Sequence, residues 1–103
     1  MQNLTASVPH RLGRAEAKRR IQDGLGQLRR QYGTWLHDLR ESWQGDRMDF
    51  TASALGQSFT GNLTVDDTAV HVEVALPWIL DMLVEPIRQQ IQQHGQKLLG
   101  RVG

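Results

Sequence analysis

Between Met48 and Leu76 the sequence alternates apolar and polar residues almost without a break, and the alternation stops at Pro77. No other feature limits the fold as strongly, because a period of two puts every second side chain on one face of an extended chain and cannot serve a helix. Met48, Phe50, Ala52 and Ala54 alternate with Asp49, Thr51 and Ser53. Phe59, Gly61, Leu63 and Val65 alternate with Ser58, Thr60, Asn62 and Thr64, and Val70, Val72, Val74 and Leu76 with His71, Glu73 and Ala75. Upstream, Leu39 and Trp43 keep the same rhythm with Arg40 and Ser42. Turn residues punctuate the runs at Gln44-Gly45-Asp46-Arg47, Gly56-Gln57 and Asp66-Asp67. Residues 38–76 therefore predict a four-stranded antiparallel meander with one apolar face.

The flanks must cover that face. Leu4, Ala6 and Val8 alternate with Thr5 and Ser7 until Pro9, which predicts a strand over 3–8, expected beside the last strand of the meander. From Arg14 the period becomes helical. Ala17, Ile21, Leu25, Leu28 and Tyr32 fall in one stripe, with Gly13 as N-cap and Gly33 as the residue that ends the helix, over 14–32. Gly24 and Gly26 inside it cost about 1 kcal/mol each relative to alanine, and one of them is expected to let the sheet approach. After Pro77 the stripe Leu80, Leu83, Val84, Ile87, Ile91, His94 and Leu98 predicts a closing helix over 78–99, broken or kinked near Pro86, with Pro86 as the first residue of any restart. The order β-α-β-β-β-β-α belongs to the α+β class, an antiparallel sheet packed by a long C-terminal helix, similar to a reduced helix-grip arrangement.

The 103 residues fit a single domain, 1–103, that buries roughly two-thirds of its unfolded surface. The absence of cysteine excludes disulfides and thiolate chemistry and suits a reducing compartment. No apolar run approaches the roughly 20 residues of a membrane span, and the N-terminus has no signal-like pattern. The expectation is a cytoplasmic, soluble domain.

Catalytic signatures are missing: no Gly-x-Ser-x-Gly, no His-Glu-x-x-His and no phosphate loop. His71 and Glu73 share the outer face of a strand and read as partners for cross-strand polar pairing. His94 reads as a partly buried histidine near a helix end. Neither an enzyme, a cofactor nor a metal site is expected. Charge is uneven: residues 11–30 carry seven basic residues against Glu16 and Asp23, while the remainder carries five basic and nine acidic. Arg11 and Arg14, at the start of the first helix, are candidate anion contacts. The helix lacks the coherent basic stripe or aromatic platform that nucleic acid would require. The remaining candidate is the apolar corner Leu76, Pro77, Trp78 and Met82 as a partner contact, because helical phase places Trp78 and Met82 opposite Leu80, Leu83 and Ile87; the alternative is that Trp78 folds back over the sheet edge.

Several segments in order resemble one bacterial family, the small polyhydroxyalkanoic acid system proteins encoded near polyester-granule genes. They are His10-Arg11-Leu12-Gly13, Ala15-Glu16-Ala17-Lys18-Arg19-Arg20-Ile21, Trp43-Gln44-Gly45-Asp46-Arg47-Met48-Asp49-Phe50, then Gly56, Phe59, Thr60-Gly61 and Val65, and last Leu76-Pro77-Trp78. The likeness spans about residues 4 to 99, and departs where the family usually has a hydroxyl residue and this chain has Gly13. The resemblance implies a context, polyhydroxyalkanoate storage, with the granule or its proteins as partner; together with the missing catalytic signatures and the apolar corner, the expectation is a non-enzymatic accessory protein, cytoplasmic and at storage granules. The resemblance offers no catalytic residues to carry over. Two alternatives stay open: a small domain that binds a hydrophobic acyl or hydroxyacyl ligand, and a homodimeric scaffold or regulator.

Overall fold

A computed structural model describes residues 2–32, 37–54 and 56–100. Strand β1 (Gln2–Pro9) leads into helix α1 (Arg14–Tyr32), followed by β2 (His37–Gln44), β3 (Arg47–Ala54), β4 (Gln57–Val65) and β5 (Ala69–Leu76). A 3-10 segment, Trp78–Leu83, connects β5 to helix α2 (Val84–Leu99). The five strands form one antiparallel sheet in the order β1-β5-β4-β3-β2. β1 pairs with β5 from Gln2↔Leu76 to Pro9↔Ala69, which is the edge position its pattern predicts.

The register converts the alternation into two faces. On the inner face, cross-strand pairing places Trp43, Met48, Leu63, Val72 and Ala6 in one row, and Glu41, Phe50, Gly61, Val74 and Leu4 in the next. Gly61 is needed in that second row. A Cβ there would lie 2.4 Å from Phe50 Cζ and 2.5 Å from the Glu73 carbonyl oxygen, so the missing side chain is what lets the Phe50 ring cross β4. The β2–β3 hairpin turns at Gly45-Asp46, with Gly45 at φ 62° in the first central position, as a tight hairpin of primed type requires. β2 carries an irregularity between His37 and Arg40, where Asp38 takes φ 55°.

Two apolar clusters fill the space between sheet and helices. One joins Val8, Met48, Leu63, Val65 and Val70 to Ala17 and Ile21 of α1 and to Leu99 of α2. The other joins Leu4, Val74 and Leu76 to Leu80. Phe50, Val72 and Ile91 pack against both and make the core continuous. Helix α2 lies chiefly on β1, where Gly95 admits Val8: a Cβ on Gly95 would be 2.8 Å from Val8 Cγ2.

Three expectations change. Gly24 does not admit the sheet; it admits the second helix, since a Cβ there would lie 2.4 Å from Leu98 Cδ1. The closing segment is a short first helix followed by a restart, one of the two expected arrangements, but the restart comes earlier than expected. Two short 3-10 turns meet at a kink at Leu80 (φ −100°, ψ 16°), and α2 begins at Val84, so Pro86 is its third residue and not its first. Pro86 is harmless there because the N–H groups of a first turn have no intrahelical acceptor. The inward stripe also ends on Leu99, buried to 2 % exposure, as well as on Leu98. The side chains of Leu28 and Tyr32, and Gly33, lie outside the described residues.

Candidate functional site

The corner after β5 is built by proline. Leu76 completes the ladder opposite Gln2, and Pro77, at φ −56° and ψ 146°, has no N–H with which to extend it. The Leu80 N–H instead donates to the Pro77 carbonyl at 2.9 Å and starts a 3-10 turn. A kink at Leu80 divides the segment into two short turns. Leu80 and Leu83 pack against the core, which leaves Trp78, Ile79, Asp81 and Met82 toward solvent.

Leu76 is fully buried and Leu80 nearly so, whereas Trp78 is 73 %, Ile79 47 % and Met82 74 % exposed. These three are the exposed large hydrophobic residues among the described ones. Sequence reasoning located Trp78 and Met82, placed Leu76 in the same patch although it is core, and missed Ile79. At 100° per residue Ile79 lies only about 40° from Leu83, so an α-helical phase groups it with the inward stripe. Pro77 is half-buried beneath the patch. Asp81 and the Glu85–Arg88 ion pair border it.

The basic helix is engaged within the molecule. Arg14 reaches Asp46 at 3.4 Å and Asp67 at 3.2 Å, and Arg29 reaches Glu41 at 3.2 Å. Lys18 donates to the Gly45 carbonyl and sits 5.2 Å from the centre of the Trp43 ring. Arg19 and Arg20 both bond Glu16, and these hydrogen bonds, that of Arg19 foremost, hold its carboxyl down to about 2 from the usual 4.5. The same pairing raises Arg19 above its ordinary value. Arg11 is exposed and, among the described residues, makes no side-chain bond, so Arg11 and Arg14 are not a matched pair. His10, between them and β1, is buried at 3 % exposure. Its Nδ1 accepts from the Leu12 N–H at 3.2 Å, and its Nε2–H donates to the Asp66 carbonyl at 2.9 Å.

The outer face of the sheet is polar and contains two adjoining hollows. One, of about 560 Å³, crosses β2 to β5; the other, of about 310 Å³, lies over β1, β4 and β5. Asn62 and Glu73 line both. Beside the smaller hollow, the Ser7 hydroxyl meets His71 Nδ1 at 2.8 Å and His71 Nε2 meets Asp66 at 2.9 Å. His71 and Asp66 are each about half exposed. This chain of bonds depends on the β1–β5 register and could not be read from the sequence.

A sequence model for a protein family, described as "Putative polyhydroxyalkanoic acid system protein (PHA_gran_rgn)", matches residues 4–99. No curated protein matches the chain significantly. Among solved structures, the crystal structure of TTHA0849 from Thermus thermophilus aligns over 95 % of this chain and 92 % of that one, at 14 % identity and a TM-score of 0.39. Likeness at that level carries no inference about this chain. No helix among the described residues is long and apolar enough to cross a membrane.

Proposed function

The chain belongs to the polyhydroxyalkanoic acid system protein family, and on that premise we propose that it is a non-enzymatic accessory protein of polyester storage. It docks onto the granule, or onto a protein at the granule surface, through Trp78, Ile79 and Met82, and works in the cytoplasm where the polymer accumulates.

The observation that carries this reading is the outward 3-10 face. Covering an apolar side chain is worth about 1.5–3 kcal/mol, so three neighbouring ones left in water constitute a contact surface that the fold itself does not use. The non-enzymatic reading rests on the surroundings of Ser7, His71 and Asp66. All three are open to water, which competes for each bond; Ser7 and His71 tie β1 to β5 as cross-strand polar pairs do, and Asp66 reaches His71 from the β4–β5 turn. A hydrophobic ligand held between sheet and helices would have to displace Met48, Val65, Val70 or Leu99, which already fill that space.

The test is co-sedimentation with purified polyhydroxybutyrate granules. The double variant Trp78→Ala, Met82→Ala, shown by circular dichroism to be folded, should lose most of the bound fraction. Binding equal to the parent protein would assign the contact to another surface.

A further inference from the structure

The larger outer-face hollow has a pattern of charge that the polyester reading leaves unused. Register aligns Arg40, Thr51, Thr60 and Ala75 in one row across β2, β3, β4 and β5, all on the outer face. Glu73 lies two residues from Ala75 on β5, on the same face. Three charged side chains, Arg40, Asp49 and Glu73, stand on this face of the hollow. Asp49 is already engaged by Arg47. Among the described residues, the side chains of Arg40 and Glu73 make no ion pair and no hydrogen bond. An unused cation therefore stands at one wall and an unused anion at the other. Three inter-strand steps separate their strands, about 14 Å.

The floor between them consists of short side chains that offer hydroxyls, one amide and methyl groups: Thr51, Thr60, Asn62 and Ala75. An extended molecule suited to this surface has a carboxylate at one end, a hydroxyl at the other, and between them carbonyl acceptors with small apolar branches. A linear oligomer of hydroxyacyl esters has those features in that order. Each unit contributes four backbone bonds where a peptide residue contributes three, so it spans about 4–5 Å when extended. Three units cover the distance. The hollow, of about 560 Å³, is an open depression in which such an oligomer would lie along the surface.

We propose that this hollow binds the carboxylate-terminated end of a short, soluble hydroxyalkanoate oligomer. The carboxylate pairs with Arg40, ester carbonyls accept from Thr51, Thr60 and Asn62, and the terminal hydroxyl donates to Glu73. The choice of ligand rests on the polyester reading above; the site and its surface are different from the Trp78 patch.

The experiment is calorimetric titration of the protein with the linear trimer of 3-hydroxybutyrate, free of granules. Affinity should rise from monomer to trimer. The methyl ester of the trimer, Arg40→Gln and Thr60→Leu, which fills the floor, should each weaken binding at least tenfold. Arg40 and Thr60 are exposed, so both variants should keep the parent fold. The Trp78→Ala, Met82→Ala variant should bind the trimer as the parent does. Binding of the methyl ester as tight as that of the acid, or of maltotriose as tight as that of the trimer, would overturn the assignment, as would no heat at all. A protein that sediments with granules but ignores the trimer sinks this proposal alone. One that binds the trimer but not granules sinks the granule-docking reading alone.

Discussion

Leu98 of α2 occupies the space that a side chain on Gly24 of α1 would take, its Cδ1 lying 2.4 Å from where that Cβ would stand. Two residues further along α1, a Cβ on Gly26 would have the Arg30 guanidinium at 3.9 Å as its nearest neighbour, an ordinary contact. Both glycines cost the helix about 1 kcal/mol relative to alanine, but only one is repaid by packing. Gly26→Ala should therefore stabilise the protein by about 1 kcal/mol, raising the melting temperature by about 4 °C. Gly24→Ala should gain little or nothing, because Leu98 must swing off α1. Equal gains in thermal unfolding would mean that the two helices do not meet at this point.

His10 is the buried polar side chain that joins the end of β1 to the β4–β5 turn. His10→Ala leaves the Leu12 N–H and the Asp66 carbonyl without their partners and opens a cavity, at a cost of about 2–3 kcal/mol. Urea unfolding should show a lower midpoint with an unchanged slope. A variant as stable as the parent would show that water satisfies both groups.

Glu16 sets an acid limb on stability. Its carboxyl is held at about 2 in the folded protein against 4.5 in an unperturbed chain, so between those values the unfolded state binds the proton more readily. The stabilisation is complete above about pH 4.5 and is lost as pH falls toward about 2. Because the group is solvent-screened, the effect is small and salt weakens it. Glu16→Gln should flatten the fall in melting temperature over that acid range. A Glu16 carboxyl that titrates near 4.5 by carbon-detected NMR would mean that the Arg19 and Arg20 contacts are not held in solution.

The strands were legible because alternation is a local signal: Val70, Val72, Val74 and Leu76 declare their face without reference to the rest of the chain. The proline stop after Leu76 was equally local, whereas the sequence left open whether Trp78 points outward or folds back over the sheet edge. What escaped depended on partners distant in sequence. Gly24 is spaced like any helical residue, and only the arrival of Leu98 says what its missing side chain is for. Arg14 reads as a free cation until the hairpin turn and the β4–β5 turn bring Asp46 and Asp67 to it. Ser7 and His71 are 64 residues apart and meet through one register. Ile79 was missed for a different reason: on a regular helix it falls beside Leu83, and nothing local shows the kink at Leu80 that turns it outward.

The place of β1 at the sheet edge also sets an order of events during folding. Its partners on β5 lie 60 to 74 residues further along the chain, whereas β2 to β5 pair with immediate neighbours through short turns. Hairpins of that kind close in microseconds, but distant pairings wait for a long loop to close. β1 is made earliest of the five strands and cannot pair before β5 has been made, so until then Leu4 and Val8 lack the ladder that finally covers them. Alternation of Thr5 and Ser7 with those residues keeps the waiting strand half polar, and Pro9 caps its length. The same eight residues that finish the sheet are thus kept unattractive to other nascent chains until β5 arrives.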